Sequence, residues 1–350
     1  MKRKVSIMLA GMVFAVGFAV GCGEKGQTPD KEIFVYMPDG APALALAQMM
    51  AEDTPNDGVT YKVADASKIA SKVTYKEEAQ NADMCVMPVN LASKHLGDGE
   101  NYTMLGAVTH GNLYLISKDK DTMYALNNLS ALLGKTVGVL QLNEVPGLIF
   151  KTVLHKAGVA YQENGASADA VNLVPITGAQ DVGAMDGVDL FLLAEPAATM
   201  QMDKDFYIVG DVQEMYGDEH GYPQAVLVAK RSVIEKHWNK VENILNGLED
   251  ALVWNFSSTI MPPTENYPYG LKMVLNHLED DTYQSSWYTI MNSTKNHKWR
   301  LYQTEMIQRC NAWYQSSADS AADVKAFITA AQAVNSKMAT MPSDAFFYGI

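Results

Sequence analysis

A chain of 350 residues with 48% hydrophobic and 19% charged side chains can bury a large core, which excludes a disordered or fibrous protein, and its length favours two lobes over one. Its formal charge is −13, and because Lys2, Arg3 and Lys4 sit in the first segment, losing that segment leaves −13 − 3 = −16. An acidic body with no basic stripe excludes nucleic acid as a partner.

Met1 to Gly21 has a short basic start, an apolar stretch from Val5 to Val20 and small residues before Cys22. That is the shape of a secretory signal, too short and too poorly flanked to read first as a membrane span. Ala19-Val20-Gly21-Cys22 resembles the bacterial lipobox. The resemblance implies that residues 1–21 are removed and that Cys22 is lipidated, followed by a polar tether over residues 22–31. A plain signal peptide and an uncleaved anchor are the alternatives.

Ile33 to Met37 reads as a buried strand, Pro38-Asp39-Gly40 as a turn, and Pro42 with the following alanines and leucines as a helix start. The first amides of such a helix lack partners within it, so the loop offers donors at the carboxyl end of a strand, where open α/β sheets bind small molecules. Asp57 to Val63 is a second strand and Lys68 to Gln80 an amphipathic connection. Ala82 to Met87 is a third strand, ending at Pro88-Val89-Asn90 before a helix over Leu91 to Leu96. Met104 to Ser117 is extended with a flexible point at Thr109-His110-Gly111-Asn112, suited to carry the chain from one lobe to the other.

The second lobe repeats the order: strand Lys135 to Leu140, loop Gln141 to Gly147, and a helix from Leu148 that stops at Gly158. Val171 to Ile176 is a strand, Gly178 to Met185 a short helix, and Val188 to Leu193 a strand ending in Ala194-Glu195-Pro196. Phe206 to Asp211 and Gln224 to Ala229 read as strands, one of them returning the chain. Ser232 to Phe256 reads as one helix with a Ser232/Glu235 capping box and an apolar stripe that includes Trp238. From Pro262 the chain is helical, with breaks near Pro268, Thr294 and Ser316, and an apolar tail from Pro342 to Ile350 docks on the body. The alternation of strands and helices predicts mixed, mostly parallel sheets covered by helices on both faces. The expected division is lobe 1 from 32–110 and 228–350, and lobe 2 from 111–227.

Cys85 and Cys310 read as two buried thiols, with a disulfide between them as the lesser alternative. No His, Cys or carboxylate spacing matches a metal site, and no nucleophile and base, phosphate loop or paired carboxylates point to catalysis. No cofactor is expected.

MPDGAPALALA at Met37 to Ala47, ADMCVMPVNLASK at Ala82 to Lys94, LLGKTVGVLQLNEVPGLIFKTVLHKAGV at Leu132 to Val159 and VDLFLLAEPAAT at Val188 to Thr199 carry a resemblance. The chain resembles the solute-binding proteins of bacterial ABC importers, in particular the nitrate, sulfonate and thiamine-pyrimidine-precursor group of the two-lobed type II fold. That resemblance implies a ligand cleft between lobes that closes around a small molecule, a permease and an ATPase as partners, a membrane anchor through Cys22, and a monomer. It implies no enzymatic activity, although chorismate-dehydratase-type and pyrimidine-synthase-type enzymes share the fold. A surface lipoprotein that uses the fold for sensing or adhesion is the other alternative.

Mapped onto this chain, the candidate ligand-binding residues are Asp39, Gly40, Ala41, Asn90, Asn143, Glu144 and Glu195 in the loops, with His110 and Asn112 at the outgoing crossing and Tyr222 near the return. Two roles are open to Asp39: ligand acceptor or helix cap. None of the four arginines, Arg3, Arg231, Arg300 and Arg309, lies in a candidate loop, whereas Asp39, Glu144 and Glu195 do. The expectation is therefore a neutral or cationic ligand with hydrogen-bond donors, such as a pyrimidine-like heterocycle, stacked on Tyr36, Tyr222 or Trp254.

Overall fold

Short apolar runs of Val, Ile, Leu and Met satisfy their backbone groups only by pairing with one another, and in this chain they assemble into two sheets. The structure, a computed structural model, describes residues 31–51, 58–119, 126–163, 165–217, 221–258, 269–285, 287–288, 290 and 297–350. The expected signal segment and Cys22 lie outside these residues. So do the expected breaks near Pro268 and Thr294.

In chain order the strands of the first sheet are β1 (Ile33–Pro38), β2 (Val59–Ala64), β3 (Met84–Pro88) and β4 (Tyr102–Thr109). The next six, β5 (Leu113–Ser117), β6 (Thr136–Leu140), β7 (Tyr161–Glu163), β8 (Val171–Ile176), β9 (Leu190–Ala194) and β10 (Tyr207–Asp211), form the second. β11 (Ala225–Lys230) and the short β12 (Gln315–Ser316) return to the first. The orders are β12-β4-β11-β3-β1-β2 and β10-β5-β9-β6-β8-β7. β1 pairs in parallel with β2 and β3, and β6 with β8 and β9. The crossing strands run the other way: β11 is antiparallel to β3 and β4, and β5 to β9 and β10. Both sheets are therefore mixed, with parallel pairing among β1, β2 and β3 in the first and among β6, β7, β8 and β9 in the second. The expected lobe limit between 227 and 228 falls inside β11, which belongs wholly to the first sheet because its whole length pairs with β4.

The helices that cover the sheets are α1 (Ala41–Ala45), α2 (Val89–Leu96), α3 (Val145–Lys156), α4 (Ala197–Met200), α5 (Val212–Tyr216), α6 (Arg231–Lys236), α7 (Trp238–Ser258), α8 (Tyr269–Asn276), α9 (Gln303–Arg309) and α10 (Ser317–Val334). The amphipathic connection after β2 begins as a 3-10 helix over Ala66–Val73 with Ile69 and Val73 buried. One expectation changes. The long helix expected from Ser232 is two helices broken at His237, and no capping box forms, because β11 runs straight into α6 and places Ser232 inside the first turn, with Lys230 as the cap residue. Of the expected stripe Val241 and Leu248 are buried and Leu245 is partly buried, Ile244 is buried beside them, and Trp238 is partly buried and stacks on Tyr348 of the tail at 5.4 Å.

One apolar cluster runs through both sheets, joining Met104 and Val228 of the first to Val137 and Leu192 of the second. α10 belongs to that cluster and packs on both α3 and β4, with Val324, Phe327, Ile328 and Ala331 buried. Phe327 lies 5.9 Å from the Tyr222 ring and 6.3 Å from Tyr216. The docked tail buries Phe346 and Phe347, as its apolar character predicts, and Thr103 donates to the Phe346 carbonyl. Cys85 and Cys310 are buried free thiols in different clusters.

The chain passes between sheets at His110–Asn112 and again before β11, and the two passages touch. Gly111 and Gly221 have φ of 90° and 85°, a region that L side chains rarely adopt. A Cβ on Gly221 would stand 2.3 Å from the His110 carbonyl oxygen, and one on Gly111 2.7 Å from the Tyr222 ring. Gly221→Ala is accordingly expected to cost more than about 1 kcal/mol, read as a lower urea midpoint with an unchanged slope.

Candidate functional site

The loops that leave β1, β3, β6 and β9 at their carboxyl ends converge on a cleft of about 490 Å³ between the two sheets. Local sequence shapes each wall. Gly40, at φ 96°, turns the chain out of β1, and Pro42 in the first turn starts an α1 only five residues long. Gln141, at φ 50°, turns it out of β6, and the extended Glu144 with Pro146 behind it starts α3. The second crossing contributes Gln224, and a distant segment contributes Tyr283.

Among the described residues three carboxylates line this space, and their surroundings differ. Asp39 accepts hydrogen bonds from the Ser285 hydroxyl at 3.1 Å and the Tyr283 hydroxyl at 3.4 Å. It is not the helix cap: Gly40 occupies that position, without a side-chain bond. Burial and the Asp39 charge push the Tyr283 phenol up, so it stays protonated and donates. Glu144 is exposed at the opposite wall. Glu195 is 2% exposed, with Arg309 Nε 2.6 Å from its Oε1 and with the Thr199 hydroxyl and amide donating at 2.6 and 3.1 Å. Burial raises its pKa, and the Arg309 charge and the Thr199 bonds pull it back.

Asn112 and Gln224 make the floor. Asn112 Nδ2 donates to the Glu195 carbonyl at 3.4 Å, and Gln224 Nε2 donates to Asn112 Oδ1 at 2.9 Å. The Glu195 amide also donates to the Asn112 carbonyl at 3.0 Å. The remaining lining is mostly Ala, Pro, Leu and Val, and the described residues that line the cleft include no Lys, Arg or His. Among the described residues no group of His, Cys, Asp or Glu is arranged to hold a metal.

Of the sequence candidates, Asp39, Gly40, Ala41, Asn112, Glu144 and Glu195 share this cleft. Four others do not line it. Asn143 opens instead onto a separate cavity of about 190 Å³, with Lys151 and Asn335. Asn90 is fully buried under the body, its Nδ2 donating to the Met338 carbonyl at 3.2 Å. His110 is buried and stacks on Trp313 at 3.6 Å, with Gln315 Oε1 3.2 Å from its Nε2. Tyr222 is a core residue that donates to Gln213 at 3.2 Å. The proposed stacking residues also change: Tyr36 faces the Lys72 ammonium at 4.8 Å, and Trp254 lies where side chains are not described. The cleft tyrosine is Tyr283.

Sequence reasoning missed Gln224, Tyr283, Ser285 and Arg309. Gln224 adjoins the return crossing and was legible by position. The others reach the cleft from segments far along the chain with no local motif. Arg309 in particular corrects the view that arginine stays clear of these loops: its guanidinium sits behind the cleft wall, on Glu195 and on the Thr199 hydroxyl at 2.8 Å.

These two mixed sheets, with a cleft at their carboxyl edges and two passages between them, are the fold of two-lobed periplasmic solute-binding proteins. An ABC transporter structure from Parabacteroides distasonis has 17% identity, covers 90% of this chain and 98% of its own, and superposes with a TM-score of 0.63. The periplasmic aliphatic sulphonate binding protein SsuA from Escherichia coli has 12% identity, with coverage of 89% and 95% and a TM-score of 0.58. The periplasmic sulfonate-binding protein SsuA from Methylobacillus flagellatus KT has 13% identity, with coverage of 90% and 91% and a TM-score of 0.50. No curated protein matches the chain. Residues 67–258, more than half of the chain, match the model of the NMT1/THI5 like family, and the protein belongs to that family.

Removing Arg309 leaves Glu195 buried without its counter-charge. Arg309→Met is expected to cost about 3–5 kcal/mol, and Glu195→Gln in the same chain should recover much of it. Urea denaturation of the two single variants and the double variant checks this.

Proposed function

We propose that this protein is an exported, lipid-anchored solute-binding protein that captures a small organic molecule and hands it to an ABC permease driven by its ATPase, without catalysing a reaction. Family membership and the fold support a binding role. The Cys22 lipobox pattern supports the anchor, and no helix of the described residues is long and apolar enough to cross a membrane. In this reading the two lobes turn about the touching passages at Gly111 and Gly221 and close on ligand, because contacts to both walls exist only in the closed form.

The observation that carries the ligand class is the charge of the cleft. Arg309 neutralises Glu195, Asp39 and Glu144 line the space from opposite lobes, and the described residues of the lining include no cation. An anion entering this cleft meets repulsion from both walls. A neutral or cationic solute with N–H donors, such as an aminopyrimidine, finds acceptors at Asp39 and Glu144 and apolar surface from alanines and prolines between them. Function as a sensor or adhesin uses the same cleft, and binding alone does not separate it from import.

Titration calorimetry against 4-amino-5-hydroxymethyl-2-methylpyrimidine, taurine and nitrate tests the reading. Binding of the pyrimidine, weakened about 10-fold or more by Asp39→Asn, is the expected result. Tight binding of taurine or nitrate alone overturns it. For the anchor, Cys22→Ala is expected to move the protein from the membrane fraction to the soluble fraction of its host.

A further inference from the structure

Asp39 is held by a segment that neither the family match nor the cleft loops contain. Tyr283 and Ser285 stand 244 and 246 residues along the chain from Asp39. Their hydroxyls address different oxygens of the carboxylate, Tyr283 on Oδ2 and Ser285 on Oδ1, so both its rotation and its tilt are fixed. Trp287 anchors the segment: it is fully buried, its amide donates to Ser285 Oγ at 3.1 Å and its indole N–H donates to the Gly40 carbonyl at 3.4 Å. The loop that carries Asp39 is thus backed on its backbone and its side chain by one stretch of three alternate residues.

The two hydroxyls each take one acceptor site, on different oxygens of the carboxylate. Asp39 sits just past the end of β1, and Gly40, not Asp39, is the cap residue of α1. Loss of a hydroxyl removes one restraint on the carboxylate, which a ligand must then make up on binding.

We propose that Tyr283 and Ser285 are positioning residues for the cleft: they pre-orient Asp39 towards a hydrogen-bond donor on the ligand, and so set affinity through Asp39. This rests on the reading of the cleft as a ligand site. It assigns specificity in this chain to residues outside 67–258, the part that matches the family model.

Calorimetry with 4-amino-5-hydroxymethyl-2-methylpyrimidine as probe, on the wild type, Tyr283→Phe, Ser285→Ala, Asp39→Asn and the two double variants with Asp39→Asn, tests the proposal. Tyr283→Phe keeps the ring and its packing, and its melting temperature is expected to match the wild type within a few degrees. Each hydroxyl deletion is expected to weaken the probe about 3–10-fold in the wild-type background and to have no further effect once Asp39 is Asn. Equal losses in both backgrounds, or no loss in either, overturn the proposal while leaving the cleft a binding site. Absence of probe binding by the wild type overturns the ligand reading and this proposal with it.

Discussion

A carboxylate with almost no exposed surface requires a counter-charge, and the rest of the cleft is arranged around the one that Glu195 receives. Arg309 comes from α9, so the pair joins the loop after β9 to the far end of the chain. With the loop so held, the Glu195 backbone can clasp Asn112 through both a main-chain and a side-chain bond, and Asn112 in turn orders Gln224. The two crossings are thereby tied to one wall of the cleft by a continuous polar line. Burying an ion pair gains little net stability, because desolvation offsets most of the attraction. Its effect here is on placement and on charge, since it cancels the Glu195 carboxylate at the edge of the cavity.

Charge is also where this cleft parts from what its structural relatives are named for. Two of the similar structures are named as sulfonate-binding proteins. Sulfonates are anions, and the described lining of this cleft holds no cationic side chain. Backbone amides at helix starts can hold an anion, but α1 is five residues long and Glu144 occupies the cap position of α3. At this level of identity the shared fold leaves open what a ligand is.

Most of the sheet framework was legible because strand, turn and helix start each leave a local mark. Ile33 to Met37, Ala82 to Met87 and Val188 to Leu193 are apolar runs closed by Pro, Gly or Asp, and each became a strand whose loop reaches the cleft or its rim. The break at Gly111 was equally plain. Helix boundaries were less so: Ser232 and Glu235 have capping-box spacing, yet β11 runs on to Lys230, which is itself the cap residue of α6 and makes no side-chain cap bond. Within the candidate site, Asp39, Gly40, Ala41, Glu144 and Glu195 on loops after strands line the cleft, whereas Asn143, on the loop after β6, opens onto the smaller cavity. His110, Asn90 and Tyr222 do not line the cleft, because a polar or aromatic side chain near a loop or a crossing is as well satisfied by the core. Trp313, Met338 and Gln213 supply those core partners from elsewhere in the chain. Tyr283, Ser285 and Arg309 were invisible for the opposite reason: their neighbours in sequence carry no cleft signature, and only tertiary packing brings them in.

α10 lies against α3 on one side and β4 on the other, and its buried face is part of a single apolar cluster that includes strands of both sheets. Two lobes with separate cores would melt in two steps, each on its own temperature scale. A shared core removes that independence, since neither sheet can lose its packing without exposing the helix that also covers the other. Heating should therefore give one transition for residues 32–350. Any solute that grips the cleft then raises the midpoint of the whole body, including the distant tail at Phe346, because free energy gained in one place is shared by everything that unfolds with it.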